Sequence, residues 1–163
     1  MKLNLEKFLK SSLWKRISEN PSFRREVPFA LALSRPNVEL LIRGRMDAIT
    51  MEANHALMLD YKYSTLPENL ADQYGVSMGI YATALMQATK CASVETGLVF
   101  LREPGEGVVW KTIYAGEEIK HQLLDLAEDY QQKIFLNNVD TWEKIEHSRC
   151  DALKCGFRSF CWR

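Results

Sequence analysis

The sequence predicts an α/β fold with a central mixed β-sheet flanked by helices, and two observations predict it. Five segments are strand-like, apolar or alternating, and they fall in groups of three and two. Three other segments repeat their apolar residues every three or four positions: one before the first strand group, one between the groups and one after them. Helix, three strands, helix, two strands, helix is the order of a layered sheet-and-helix domain.

Leu3, Leu5, Phe8, Leu9, Leu13, Trp14 and Ile17 share helical spacing, so one helix is expected over 3–18, ended by Asn20-Pro21. Arg24 to Leu33 reads as a strand closed by the turn cluster Ser34-Arg35-Pro36-Asn37. Val38 to Met51 is a long strand with Leu40, Ile42, Met46 and Ala48 on one parity. Glu39, Leu41, Arg43, Arg45, Asp47 and Ile49 occupy the other. After the connector Glu52-Ala53-Asn54, His55 to Tyr63 forms an antiparallel partner, which brings Asp47 and Asp60 onto neighbouring strands. Pro67-Glu68-Asn69 opens a helix to about Ala88, striped by Leu70, Tyr74, Met78, Tyr81 and Leu85. Gly75 and Gly79 in it suit close helix packing. Val94 to Arg102 and Val108 to Tyr114 are strands around Glu103-Pro104-Gly105-Glu106-Gly107. Gly116-Glu117-Glu118 then starts a helix lined by Ile119, Leu123, Leu126, Tyr130 and Ile134, with its acidic residues suiting the dipole.

A length of 163 residues suits a single domain over 1–163 with a substantial core. No window of 18 apolar residues occurs, so no membrane span is expected, and the first ten residues lack a signal-peptide core, so the expected location is cytoplasmic. The net charge is zero but polarised. Up to Arg45, ten basic residues face four acidic ones, a balance of +6 that the remainder offsets with −6. A basic lobe leading into carboxylates suits a polyanionic substrate, although scattered solvated charge would read the same way.

Asp60-Tyr61-Lys62, with Asp47 one hairpin earlier, is the chemically informative group. Two carboxylates and an ammonium at the inner end of apolar strands are costly unless a metal or an anion compensates them. Phosphodiester hydrolysis needs an activated water and charge neutralisation, which Mg²⁺ on hard oxygen ligands supplies. Asp47 and Asp60 offer carboxylate oxygens and Tyr61 its backbone carbonyl. Lys62 would orient water or stabilise developing charge. Glu26 is a third candidate carboxylate on the adjoining strand. Arg43 and Arg45 share the parity of Asp47, so they either meet substrate phosphates or pair with Glu26 or Glu39. Tyr74 and Tyr81 lie on one helix face, rings packed and hydroxyls towards the site. A structural Asp60–Lys62 ion pair with Asp47 exposed at a strand end is the alternative. His55, His121 and His147 share no ligand spacing.

Four stretches together resemble a known family: Arg25-Glu26-Val27-Pro28-Phe29, Ile42-Arg43-Gly44-Arg45-Met46-Asp47, Leu59-Asp60-Tyr61-Lys62-Tyr63, and Tyr74 through Tyr81-Ala82-Thr83-Ala84-Leu85. In order and spacing they are similar to the PD-(D/E)XK nucleases, specifically the RecB-like nuclease domain at the C-termini of bacterial helicase–nucleases. The resemblance implies a restriction-endonuclease-like core, metal ligands at Asp47 and Asp60 with the Tyr61 carbonyl, Lys62 as the catalytic lysine and Glu26 as an accessory acid. It implies substrate contacts from Arg43, Arg45, Tyr74, Ser77 and Tyr81. The implied activity is a Mg²⁺-dependent deoxyribonuclease, with Mn²⁺ able to substitute, working as an exonuclease on single-stranded DNA ends in double-strand break repair or recombination. The partner implied is a helicase domain, with this chain the C-terminal segment of a larger helicase–nuclease. Ser77 stands where the family usually carries a glutamine, and nothing matches the family's upstream histidine. Those departures motivate the alternative of a weakened, nuclease-like DNA-binding or scaffold module.

Cys150, Cys155 and Cys161 resemble the group that closes a four-cysteine iron–sulfur cluster in some RecB-like nucleases. The fourth ligand there lies upstream of the core, and this chain has no cysteine before Cys91, so no cluster is expected in it. The competing expectation is a docked tail with buried thiols and Phe157, Phe160 and Trp162 packed on the sheet.

Overall fold

The computed structural model describes residues 2–102, 108–115, 117–135, 144 and 146–152. The turn 103–107, Gly116, Cys155, Cys161, Phe157, Phe160 and Trp162 lie outside them, and the side chains of Leu3 and Leu70 are likewise outside. The elements in order are α1 (Lys2–Leu9), α2 (Ser12–Ser18), β1 (Arg24–Arg35), β2 (Val38–Glu52), β3 (His55–Lys62), α3 (Leu70–Thr89), β4 (Ser93–Phe100), β5 (Val108–Ala115), α4 (Glu118–Phe135) and α5 (His147–Ala152). The chain divides into two compact units, Met1–Ala127 and Glu128–Arg163.

The first unit holds a five-stranded sheet in the order β1-β2-β3-β4-β5. β1–β2, β2–β3 and β4–β5 pair antiparallel, while β3–β4 pair parallel. A parallel pair needs a crossover, and α3 provides it. The expected α/β architecture with a mixed sheet is therefore the one observed.

The two faces of the sheet bury different layers. On one face Leu31, Leu33, Met46, Met58, Leu98 and Phe100 pack with Met78, Ala82 and Leu85 of α3 and with Leu123 and Leu124 of α4. On the other, Ala48, Leu57, Leu59 and Val99 meet Phe8, Leu13 and Ile17 of the N-terminal helices. Burying each of the Leu, Ile, Val, Met and Phe side chains among these stabilises the fold by roughly 1.5–3 kcal/mol.

The single helix expected over 3–18 is two helices. Ser11 is extended (φ −68°, ψ 155°) and its hydroxyl accepts the Trp14 N–H at 3.1 Å. Serine is a strong N-cap, so it starts a second helix where apolar spacing alone ran on. The α4 stripe also differs. Ile119, Leu123, Leu124 and Ala127 pack on the core, whereas Leu126, Tyr130 and Ile134 are exposed.

Strand β2 carries the most consequential difference. Met46 lies in the α3-side core but Ala48 lies in the opposite one, so even-numbered residues change face between them. The chain at the start of β1 changes face at the same level: Phe23, just before the strand, packs with the N-terminal helices and Val27 with the α3 side. The ladder pairs Arg25 with Ala48 and Val27 with Met46, with no pair between Glu26 and Asp47. Glu26 has φ 52°, the left-handed region that costs a bulky residue energy. A local twist at Glu26 and Asp47 thus inverts both strands together, with no residue inserted.

In the second unit the end of α4 carries a Lys133–Asp129 ion pair at 2.8 Å. α5 carries His147 Nδ1 3.3 Å from Asp151 Oδ2, with Cys150 buried as a free thiol. No helix among the described residues is long and apolar enough to cross a membrane.

Ile17 is 1% exposed between α2 and the β2–β3 face. Ile17→Ala is expected to cost about 3 kcal/mol in chemical denaturation, the lost apolar burial plus a cavity that the core only partly fills.

Candidate active site

The site forms where β2 and β3 part. Their ladder runs from Glu52↔His55 to Ala48↔Leu59 and stops. One residue further on, Asp47 and Asp60 face each other across the opening. Beyond it β3 is held only by β4, through Asp60↔Leu98, Tyr61↔Val99 and Lys62↔Phe100. The Asp47 carboxylate takes over from the ladder: its Oδ2 accepts the Tyr61 backbone N–H at 2.7 Å. A charged acceptor makes this a strong bond, and it leaves no orphan amide where the strands diverge.

Alternation along β3 turns Asp60 and Lys62 to the α3 face with Met58, and turns Tyr61 to the reverse face against Phe8, ring centroids 5.8 Å apart. Asp60 is 5% exposed. Its Oδ2 lies 2.6 Å from Lys62 Nζ, close enough for an ion pair yet without the alignment of a hydrogen bond.

The electrostatics follow from this burial. Burial pushes the Asp60 carboxyl above its ordinary value, the neighbouring Asp47 charge adds to the rise, and Lys62 only partly offsets both. Burial alone would lower the Lys62 ammonium, but Asp60, helped by Tyr81 and Tyr74, outweighs it and lifts the group above its usual range. Tyr81 is raised by burial and then by Asp60 and Asp47, so its phenol keeps its proton at neutral pH. On the reverse face the Tyr61 phenol is buried with no hydrogen-bond partner among the described residues and pushed up to about 12, mainly by burial.

Asp47, Asp60, Lys62, Tyr74 and Tyr81 therefore come together. Lys62 Nζ sits 5.2 Å from the Tyr74 ring centroid, and Tyr81 feels all three charged groups. Ser77 is half-buried on α3 between the two tyrosines. Glu26 does not join them: it is 65% exposed and pairs with the equally exposed Arg45 at 3.2 Å. Arg43 and Arg45 also lose the premise of shared parity with Asp47, because the strand inverts between Met46 and Ala48 and leaves them on the other face. Cross-strand pairing with Glu26 is what Arg45 does.

Three contributors escaped the sequence reading. Arg25, beside Ala48 on the reverse face, is the cation that acts on Tyr61. Phe100 packs edge-on to Tyr74 at 6.0 Å, and Phe29 to Tyr81 at 5.6 Å. Phe29 is the cross-strand partner of Gly44, and a Cβ there would lie 2.7 Å from its ring. Gly44 thus gives Phe29 the room to brace Tyr81, a signal hidden in the spacing Gly44-x-x-Asp47.

Two carboxylates on one face, one of them raised by burial and like charge, make a donor set that a hard dication fits, because the ion's charge would reverse both penalties. No cage of three or more His, Cys, Asp or Glu side chains exists among the described residues.

The family model of the PD-(D/E)XK nuclease superfamily matches residues 1–162. An ATP-dependent helicase/nuclease subunit from Streptococcus thermophilus is 32% identical over 108 residues, 61% of this chain and 9% of that protein. The subunit of the same name from Desulfitobacterium hafniense is 35% identical over 96 residues, 53% of this chain and 7% of that protein. The chain thus matches less than a tenth of these relatives' length. A solved structure of SSO0001 shares the fold, with a TM-score of 0.54 and 18% identity over 98% of this chain and 67% of that one.

Two outcomes are expected. Gly44→Ala should destabilise by about 1–3 kcal/mol in denaturant titration, and Phe29→Leu in the same chain should recover part of the loss. Asp60→Asn should be more stable than the metal-free parent at pH 7. With the folded carboxyl raised, the native state binds more protons than the unfolded one, so wild-type stability falls as pH climbs from about 3.9 through the raised value. The two proteins should converge once both states are protonated, below about pH 3.

Proposed function

Because the chain belongs to the PD-(D/E)XK nuclease superfamily, we propose that it is a divalent-metal-dependent deoxyribonuclease module that hydrolyses phosphodiester bonds of DNA. Its ion is Mg²⁺, with Mn²⁺ able to substitute, and its substrate a single-stranded end attacked in exonuclease mode. It works beside a helicase motor, in the cytoplasm, during double-strand break repair or recombination. The names of the relatives, which are helicase/nuclease subunits, support the motor context. The observation that carries the reading is the Asp47–Asp60 pair held on one face with the Lys62 ammonium 2.6 Å from Asp60.

Asp47 and Asp60, with the Tyr61 carbonyl, would hold the ion, which when bound supplies charge neutralisation and a more acidic water. The chain's own groups do the rest. Lys62, lifted above its ordinary range, stays cationic at neutral pH and offers its ammonium to a phosphate oxygen or to the attacking water. Tyr81, likewise raised, keeps its phenolic O–H as a donor beside the carboxylates. Burial of Asp60 under α3 thins the water around these charges, which strengthens each of them. Tyr61, anchored by Phe8 on the reverse face, fixes the strand end from which Asp60 and Lys62 both project.

Purified protein with Mg²⁺ or Mn²⁺ and single-stranded DNA should release cleavage products, with no turnover when the metal is chelated. Asp60→Ala and Lys62→Ala should each lower the rate by at least about 10²–10³-fold. Wild-type rates in both variants contradict the proposal. DNA binding without metal-dependent cleavage would instead mark a nuclease-like binding module.

A further inference from the structure

We propose that Tyr74 is a positioning residue: the face of its ring is the seat of the Lys62 ammonium. This rests on the nuclease reading for its consequence, though not for its geometry. Lys62 Nζ lies 5.2 Å from the centroid of the Tyr74 ring, inside the range of about 6 Å over which a cation is drawn to an aromatic face. The same atom lies 2.6 Å from Asp60 Oδ2. The ammonium therefore has two anchors, a carboxylate within its own strand and an aromatic face on the helix above.

The two anchors are not equivalent. A carboxylate oxygen that engages a dication or a substrate-bound water weakens its hold on the ammonium, and a flexible four-carbon stem then lets that ammonium wander. The ring face carries no oxygen that a hard dication would draw away from the ammonium. It is also fixed from behind: Phe100 meets it edge-on at 6.0 Å and 74°, and Phe100 is fully buried and is the register partner of Lys62 on the neighbouring strand. Tyr74 and Lys62 are thus both built onto Phe100, one through ring packing and the other through the β3–β4 ladder, so their separation is set by the core rather than by solvent. The seat uses the π face and not the hydroxyl. Phenylalanine at this position should serve, and an aliphatic side chain of similar bulk should not. The hydroxyl near the site that the sequence suggested for Tyr74 becomes secondary to its ring.

The test uses the whole chain with ¹³C-labelled lysine. In the metal-free protein the ε-methylene protons of Lys62, assigned by their loss in Lys62→Arg, should show an upfield ring-current shift. Tyr74→Phe should keep that shift and Tyr74→Leu should abolish it, with both variants melting as cooperatively as wild type. In cleavage of single-stranded DNA with Mn²⁺, Tyr74→Leu should lower kcat by about tenfold or more with KM little changed, while Tyr74→Phe should stay within about twofold of wild type. An ε-methylene signal that does not move in Tyr74→Leu overturns the seat, and so does wild-type kcat in that variant. If the wild-type protein itself shows no metal-dependent cleavage, the nuclease reading fails, and the ring-current comparison alone decides whether the seat exists.

Discussion

The hydrogen bond from the Tyr61 amide to the Asp47 carboxylate is the constraint on which the site depends. Two strands that pair through five residues must separate before their side chains can surround anything, and separation exposes an amide that the ladder no longer serves. Asp47 resolves this with its own carboxylate, 2.7 Å away. The bond that closes the β2–β3 ladder is therefore also the bond that places the first acid beside the second. Asp60 follows on the facing strand, Lys62 two residues later on the same face, and Tyr61 between them is driven into the N-terminal helices. Without those helices Tyr61 would lose its aromatic contact with Phe8, and the strand end carrying Asp60 and Lys62 would lose its backing.

The site is held at a cost that the rest of the fold offsets. Asp60 is buried enough for desolvation to outweigh the adjacent ammonium, and Asp47 adds like charge. Glu26 adds a strained backbone at the level where β1 and β2 invert. Against these stand a fully buried layer on each side of the sheet, α3 with the start of α4 on one and α1–α2 on the other. Concentrating unfavourable terms at one strand opening and favourable ones in the layers is how active sites are commonly supported.

Much of this was legible in the amino-acid order. Strands, helices and their succession followed from apolar periodicity, and the same-face placement of Asp60 and Lys62 followed from a spacing of two. The hairpin that brings Asp47 opposite Asp60 followed from a short connector. The inversion at Glu26 was not legible, because periodicity assumes a regular pleat and a left-handed glutamate leaves no trace in composition. That single conformation moved Arg43 and Arg45 to the far face and paired Arg45 with Glu26, so a third acid and two phosphate contacts inferred from parity did not gather at the site. The break at Ser11 was encoded, since serine is a cap, but the apolar stripe on both sides of it spoke louder. The brace of Phe29 on Tyr81 depends on the absence of a Cβ at Gly44, a contact that exists only once the two strands pair.

Asp47 and Asp60 are proposed to act as one metal-binding pair. Calorimetric titration of Mn²⁺ into the whole chain tests it most directly, without recourse to turnover. The wild-type protein should bind the ion, Asp47→Asn and Asp60→Asn should each abolish or severely weaken that binding, and Glu26→Gln should leave it intact. Equal binding by the wild-type protein and either aspartate variant, or no binding by the wild type, would contradict it.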